Sequence, residues 1–360
     1  MARIHQFLAC AVPRDAVTNH ALALRKVFKQ VDPRTRVWAE AHDASLDGVV
    51  AHYSYYEEVR QRDDICLWHA SSDSAITPWL QRRAGDLCVF YHNVTPADMI
   101  APFDRALARR LEVAREQTAA LAPMCRVAMA GSRYSAAELV EWGFPEPEVI
   151  GLYLDEAAYQ VEPDQALFDR LRAERGDGPA VLFVGRLSPN KGQHHLLKAL
   201  ASLRRLHPDA RLWLVGTGHL DSYVGVLEEL VDVYGLGGGI FAGAVSQAEL
   251  AAYMRAADAF CSLSAHEGFG IPLLEAMRYD LPVVAYESSA VGETIDGAGL
   301  MLDSCDPDVV AEAISWVHED LKLRELLVVA GRARLKRLGT AEQAEARILE
   351  LVADSVAGVR

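Results

Sequence analysis

In both halves of the chain short apolar runs alternate with amphipathic stretches, and that alternation leaves few architectures open. IHQFLACA (4–11), DICLWH (64–69), DLCVFYH (86–92) and RVAMAGS (126–132) read as strands, with helices near 17–30, 104–120 and 135–142. The second half adds AVLFVGR, RLWLVG, GIFAGA, AFCSLS and PVVAYE as strands with helices between them. Strand followed by helix followed by strand is the pattern of parallel βαβ units, so an α/β fold is expected. Ser246 and Glu249 form an S-x-x-E capping box that opens one of the helices.

A chain of 360 residues, 51% of them apolar, is long for one core and suits two. Pro145, Pro147, Pro163 and Pro179 cluster with acids between Gly143 and Gly178, placing a linker near 150–165. The expected layout is a first domain over 1–160, a second over 161–340, and a single helix over 341–360. The N-terminal MARIHQFLACAVPRD enters a strand pattern too early for a signal peptide, and no long uncharged apolar run follows, so a cytoplasmic protein is expected. Six cysteines (Cys10, Cys66, Cys88, Cys125, Cys261, Cys305) include no C-x-x-C pair and read as buried reduced thiols rather than zinc ligands or disulfides. A net charge of −14 argues against a nucleic-acid partner. An anionic ligand would have to find its positive charge locally.

The segment HEGFGIPLLEAM (266–277) sets Glu267 and Glu275 eight positions apart around a glycine loop that turns into a helix. Gly268 and Gly270 admit close approach of backbone N–H groups to a ligand, and Pro272 fits a first helical turn. Such a helix start seats phosphate through its free N–H groups and positive dipole end. Glu275, about one turn in, is placed to accept two hydrogen bonds from a vicinal diol such as a ribose. Two solvated glutamates around a helix cap are the plain alternative. In GRLSPNKG, Arg186 and Lys191 follow a strand that ends at Gly185 and stand five residues apart across a turn. A fork of donors and a compact cation suit a diphosphate. GRLSPNKG is not a P-loop, and GTGHLD (216–221) lacks the third glycine of a dinucleotide fingerprint.

With those residues in view, the second half resembles the retaining glycosyltransferases of family 4, which carry a Glu-x7-Glu motif on a GT-B fold. Four blocks carry the resemblance in order: 181–200, 212–220, 241–277 and 281–302. It implies two Rossmann-like domains facing a central cleft, the first binding acceptor and the second a sugar-nucleotide donor, with the 341–360 helix crossing back onto the first domain. Gly185, Arg186, Lys191, Gly216, Val245, Glu267, Gly268, Phe269, Gly270, Ile271 and Glu275 are the implied donor residues. His92, Glu267, Arg186 and Lys191 are the implied catalytic set, with Glu267 on the transferred sugar, Glu275 on the ribose and no metal required.

Ligands bind beyond the carboxyl ends of strands in open parallel sheets, which directs attention to His69 and His92 in the first half. His92 matches the family histidine that contacts the transferred sugar. His69, Asn93, Asp15 and Asn19 are expected around the acceptor, although Asp15 also reads as a helix cap. The first loop lacks the paired glycines found in many family members, which leaves its part in donor binding open. The expected reaction is transfer of a hexose, mannose from GDP-mannose or the sugar of a UDP-hexose, to a glycan or lipid-linked acceptor with retention. A GT-B epimerase, a phosphorylase or a binding protein without catalysis are the alternatives. DRALARRLEVAREQ (104–117) is either a basic face for peripheral contact with the inner membrane surface or a solvated helix interleaved with Glu112 and Glu116.

Overall fold

The computed structural model describes residues 3–13, 15–82, 86–152 and 159–357. It divides into two compact units, one of Met1–Asp98, Arg105–Leu152 and Thr340–Arg360, the other of Met99–Asp104 and Tyr153–Gly339. Residues 153–158 of the expected linker lie outside the described residues.

The first unit is built on seven strands: β1 (Ile4–Ala11), β2 (Val37–His42), β3 (Val50–His52), β4 (Ile65–Ala70), β5 (Asp86–Tyr91), β6 (Cys125–Ala130) and β7 (Glu148–Val149). Their order is β3-β2-β1-β4-β5-β6-β7, and every pairing is parallel. The direction of strand order reverses between β1 and β4. Strand β5 shows how the sequence builds the two faces. Leu87, Val89 and Tyr91 enter an aromatic-rich core with Trp38, Trp68 and Trp79. Cys88 and Phe90 point the other way, into a core shared with Ile4, Leu24 and Met129. The helix Ala341–Ala357 closes that second core with Ile348 and Val352, both fully buried. Burial of each is worth about 1.5–3 kcal/mol.

The second unit holds β8 (Ala180–Val184), β9 (Arg211–Val215), β10 (Phe241–Gly243), β11 (Ala259–Ser262), β12 (Val283–Tyr286) and β13 (Leu300–Leu302). The order is β10-β9-β8-β11-β12-β13, again parallel throughout, with its reversal between β8 and β11. The capping box at Ser246 and Glu249 is formed in both directions. Strands β2, β3, β7 and β13 were absent from the sequence expectation. All but β2 have two or three residues, and β2 turns from buried to exposed along its length. Among the described residues no helix is long and apolar enough to cross a membrane.

Candidate functional site

The carboxyl ends of β8 and β11 are neighbours at the point where strand order reverses, the place where open parallel sheets leave a crevice for ligands. Beyond β8, Gly185 N–H donates to Val215 O at 2.9 Å. A Cβ on Gly216 would lie 2.1 Å from Gly185 O, so this crossing of the ends of β8 and β9 requires glycine. Arg186 follows, exposed, and among the described residues no carboxylate pairs with it.

The turn Pro189–Lys191 is one of 3₁₀ type and ends at Gly192 in the left-handed region, φ 70°. Its partner is the loop after β11. Asn190, buried, accepts from Ser188 Oγ at 2.7 Å, its carbonyl accepts from Ala265 N at 2.8 Å, and its Nδ2 donates to His266 O at 3.3 Å. That tie brings Lys191 Nζ to 2.6 Å from Glu267 Oε2, with both side chains mostly buried. A half-buried ion pair therefore joins two residues that the sequence reading assigned separately to phosphate and to sugar.

Glu267 is held from its own backbone as well, its N–H donating to Ser289 Oγ at 2.7 Å. Gly270, at φ 99°, swings the chain into the helix Ile271–Arg278, whose start carries Pro272 and no side-chain cap. Phe269 is buried with its carbonyl accepting from Thr294 Oγ1; Gly268 and Ile271 are half-buried. Glu275 lies one turn into the helix and accepts from Tyr159 OH at 2.7 Å. Burial pushes its carboxyl up, and the Tyr159 bond works against that. Val245 is half-buried just before the Ser246 cap.

In the first unit His92 follows the end of β5 and His69 lies near the end of β4. His69 Nδ1 and His92 Nε2 are 2.9 Å apart, and His69 Nε2 is 2.9 Å from Gln6 Oε1 on β1. His20, on the helix Ala16–Val31, sets its ring edge-on to both, with centroids 5.7 Å from His69 and 5.3 Å from His92. Burial, with the neighbouring imidazoles, pushes His69 and His92 well below the usual histidine range; burial alone takes His20 to about 4.

His69 was expected near the acceptor. It is fully buried, with one ring nitrogen on His92 and the other on Gln6. Asn93, at φ 73°, is also turned inward, its Nδ2 donating to Ser135 Oγ and Glu138 Oε2 at 3.0 Å. Asp15 caps its helix by accepting from Thr18 N at 2.9 Å, and Asn19 is exposed in the first turn. Along the helix Arg105–Ala119, Arg109 pairs with Glu112 and Glu116, Arg110 with Asp73 and Arg115 with Glu138. All six cysteines are free; Cys88 and Cys261 are buried as expected, whereas Cys10 is exposed.

Comparison with known proteins bears on the second unit most strongly. Residues 165–334 match the model of the family described as glycosyl transferases group 1. The GDP-mannose-dependent alpha-(1-6)-phosphatidylinositol monomannoside mannosyltransferase of Mycolicibacterium smegmatis is 34% identical over 189 residues, 50% of this chain. The chain spans about half the length of that relative, 49%. The phosphatidyl-myo-inositol mannosyltransferase of Mycobacterium leprae is 28% identical over 94% of both chains. Among solved structures, Anabaena HepE in complex with UDP-glucose superposes with a TM-score of 0.77 at 20% identity, covering 98% of this chain and 99% of that one. The fold is GT-B. Two parallel-sheet α/β units in the order just described are what that fold consists of here.

Proposed function

We propose that the chain is a retaining hexosyltransferase that moves a sugar, mannose from GDP-mannose in first place and a UDP-hexose in second, onto a carbohydrate or lipid-linked glycan acceptor. The observation that carries the reading is the grouping at the carboxyl ends of β8 and β11: exposed Arg186, the Lys191–Glu267 pair at 2.6 Å and an uncapped helix start at Gly270. Breaking the C1–O bond places positive charge on the sugar and negative charge on the departing diphosphate. Arg186, Lys191 and the N–H groups at Gly270 and Ile271 then meet the leaving group, each such donor being worth about 3 kcal/mol. In the free protein Lys191 is neutralised by Glu267, which keeps both side chains in register until the diphosphate takes Lys191 and sugar hydroxyls take Glu267. Glu275 holds the ribose diol, and His92 the transferred sugar. The acceptor oxygen attacks C1 from the face the phosphate leaves, and the phosphate takes the acceptor proton. The GDP-mannose dependence named for one mannosyltransferase relative supports a guanine nucleotide, and the phosphatidylinositol named for both supports a lipid-linked acceptor.

Incubation with GDP-mannose and UDP-hexoses, with and without a panel of glycan and glycolipid acceptors, tests the proposal. Acceptor-dependent release of nucleoside diphosphate supports it. A changed sugar still on its nucleotide makes the protein an epimerase, and tight binding without turnover makes it a binding protein.

A further inference from the structure

Three side chains far apart in sequence form one hydrogen-bonded chain in the first unit, and its chemistry has a fixed direction. Gln6 Nε2 lies 2.9 Å from Ala21 O. A carbonyl only accepts, so the amide nitrogen must face it, and Gln6 Oε1 is left to face His69 Nε2 at 2.9 Å. That oxygen also only accepts. His69 therefore carries its proton on Nε2, and its Nδ1 holds a lone pair. The one group within reach of that lone pair among the described residues is His92 Nε2, at 2.9 Å, which must then be the N–H donor. His92 is left with an unprotonated Nδ1. Turning the Gln6 amide over would set two carbonyl oxygens 2.9 Å apart, with neither able to donate.

We infer that Gln6 and His69 are positioning residues that lock His92 in its Nε2–H tautomer, so that the nitrogen it presents to a ligand, Nδ1, accepts from a sugar hydroxyl and has nothing to donate to an anion. The inference rests on the proposed transfer reaction for its ligand, and on the hydrogen bonds alone for the tautomer. The environment maintains the neutral form. Gln6 and His69 are fully buried, Phe90 packs against His92 with centroids 4.8 Å apart, and His20 is the titratable group facing both rings. The same three histidines bring nitrogens within 4.8 Å of one another, which invites a metal reading. Two nitrogens bound to one tetrahedral zinc stand about 3.3 Å apart, whereas His69 Nδ1 and His92 Nε2 are at 2.9 Å, the distance of a hydrogen bond with the His92 proton between them.

The ring nitrogens can be observed directly in protein labelled with ¹⁵N-histidine, by long-range ¹H–¹⁵N correlation. Both rings are expected to be neutral with Nε2 protonated at pH 7, and still neutral at about pH 6, where an exposed imidazole is mostly charged. An Nδ1–H ring at either position, or an imidazolium at neutral pH, overturns the inference. So does a stoichiometric shift of all three rings on adding zinc chloride. Gln6→Glu supplies the functional arm: a carboxylate beside His69 raises the proton affinity of the pair, so the acid limb of the pH–rate profile should move to higher pH. An unmoved acid limb in a folded Gln6→Glu protein counts against a positioning role. On the donor, replacing the hydroxyl that meets His92 by fluorine, which cannot donate, should cost roughly five- to ten-fold in kcat/KM, as much as replacing it by hydrogen. Fluorine tolerated at every position of the sugar would contradict an accepting Nδ1. If no sugar nucleotide supports transfer, the transfer reading fails while the nitrogen spectrum still decides the tautomer.

Discussion

Glu267 and Glu275 belong to one short motif yet sit in different surroundings, and their variants should separate. Glu275 is held by Tyr159 and assigned to the ribose, a part of the donor that does not react. Glu275→Ala should therefore weaken nucleoside diphosphate and sugar nucleotide by similar factors, about ten-fold for one charge-assisted bond lost to each. Glu267→Ala should leave nucleotide affinity within a few-fold and lower kcat by roughly 10²–10³. Calorimetry with the diphosphate and initial rates on both variants check this, and the reverse order would mean the donor lies the other way round. A second residue-scale expectation concerns acid. His20 binds its proton near 4 in the folded protein against an ordinary 6.5, and His69 and His92 are lowered too. Between pH 6.5 and about 4 the unfolded chain thus holds protons that the folded chain refuses. Stability is present in full above that window and lost as pH falls through it, by up to about 3 kcal/mol from His20. Urea midpoints measured at stepwise lower pH should decline in this range, and a flat curve down to pH 5 would show the histidines able to take up protons in place. The motif's glutamates were legible because a loop and a helix start are local patterns. The Lys191–Glu267 pair joins residues 76 positions apart and the Gln6–His69 bond spans 63, distances over which periodicity carries no information.

At the scale of elements, the turn Pro189–Lys191 and the loop after β11 act as one piece. Gly192 is where they touch: a Cβ there would stand 2.2 Å from Leu263 O, and its φ of 70° disfavours any other residue. Gly192→Ala should destabilise the second unit by about 2 kcal/mol or more. It should also weaken nucleoside diphosphate binding, because Lys191 is displaced with the turn. Thermal unfolding together with calorimetry reports both effects, and a variant with unchanged affinity would place Lys191 outside the donor seat. Most strands at the middle of each sheet could be read from composition, since runs such as AVLFV and LCVFY are apolar throughout. The edge strands β3, β7, β10 and β13 are two or three residues long and take their strand character from the neighbour they pair with, which no local window contains. Of these only β10 was expected, on the strength of its flanking apolar residues.

For the molecule as a whole, two reversals of strand order account for where the chemistry sits. In the second unit the reversal between β8 and β11 puts Gly185, Arg186 and Glu267 just past adjacent strand ends. In the first unit the reversal between β1 and β4 sets His69 against Gln6, and His92 follows just past the end of the next strand, β5. That each half is an α/β sheet could be read from alternation; the return of the last helix to the first unit was an expectation of the resemblance alone, because Ile348 and Val352 announce an apolar face without naming its partner. The central claim is transfer with retention, and one experiment addresses it without intermediaries: proton NMR of a reaction containing GDP-mannose or a UDP-hexose and a glycolipid acceptor. The account predicts loss of the donor's anomeric signal in step with a new glycosidic signal of the same anomeric configuration, dependent on acceptor. An inverted product, or a donor signal that never changes in the presence of any acceptor, would contradict it.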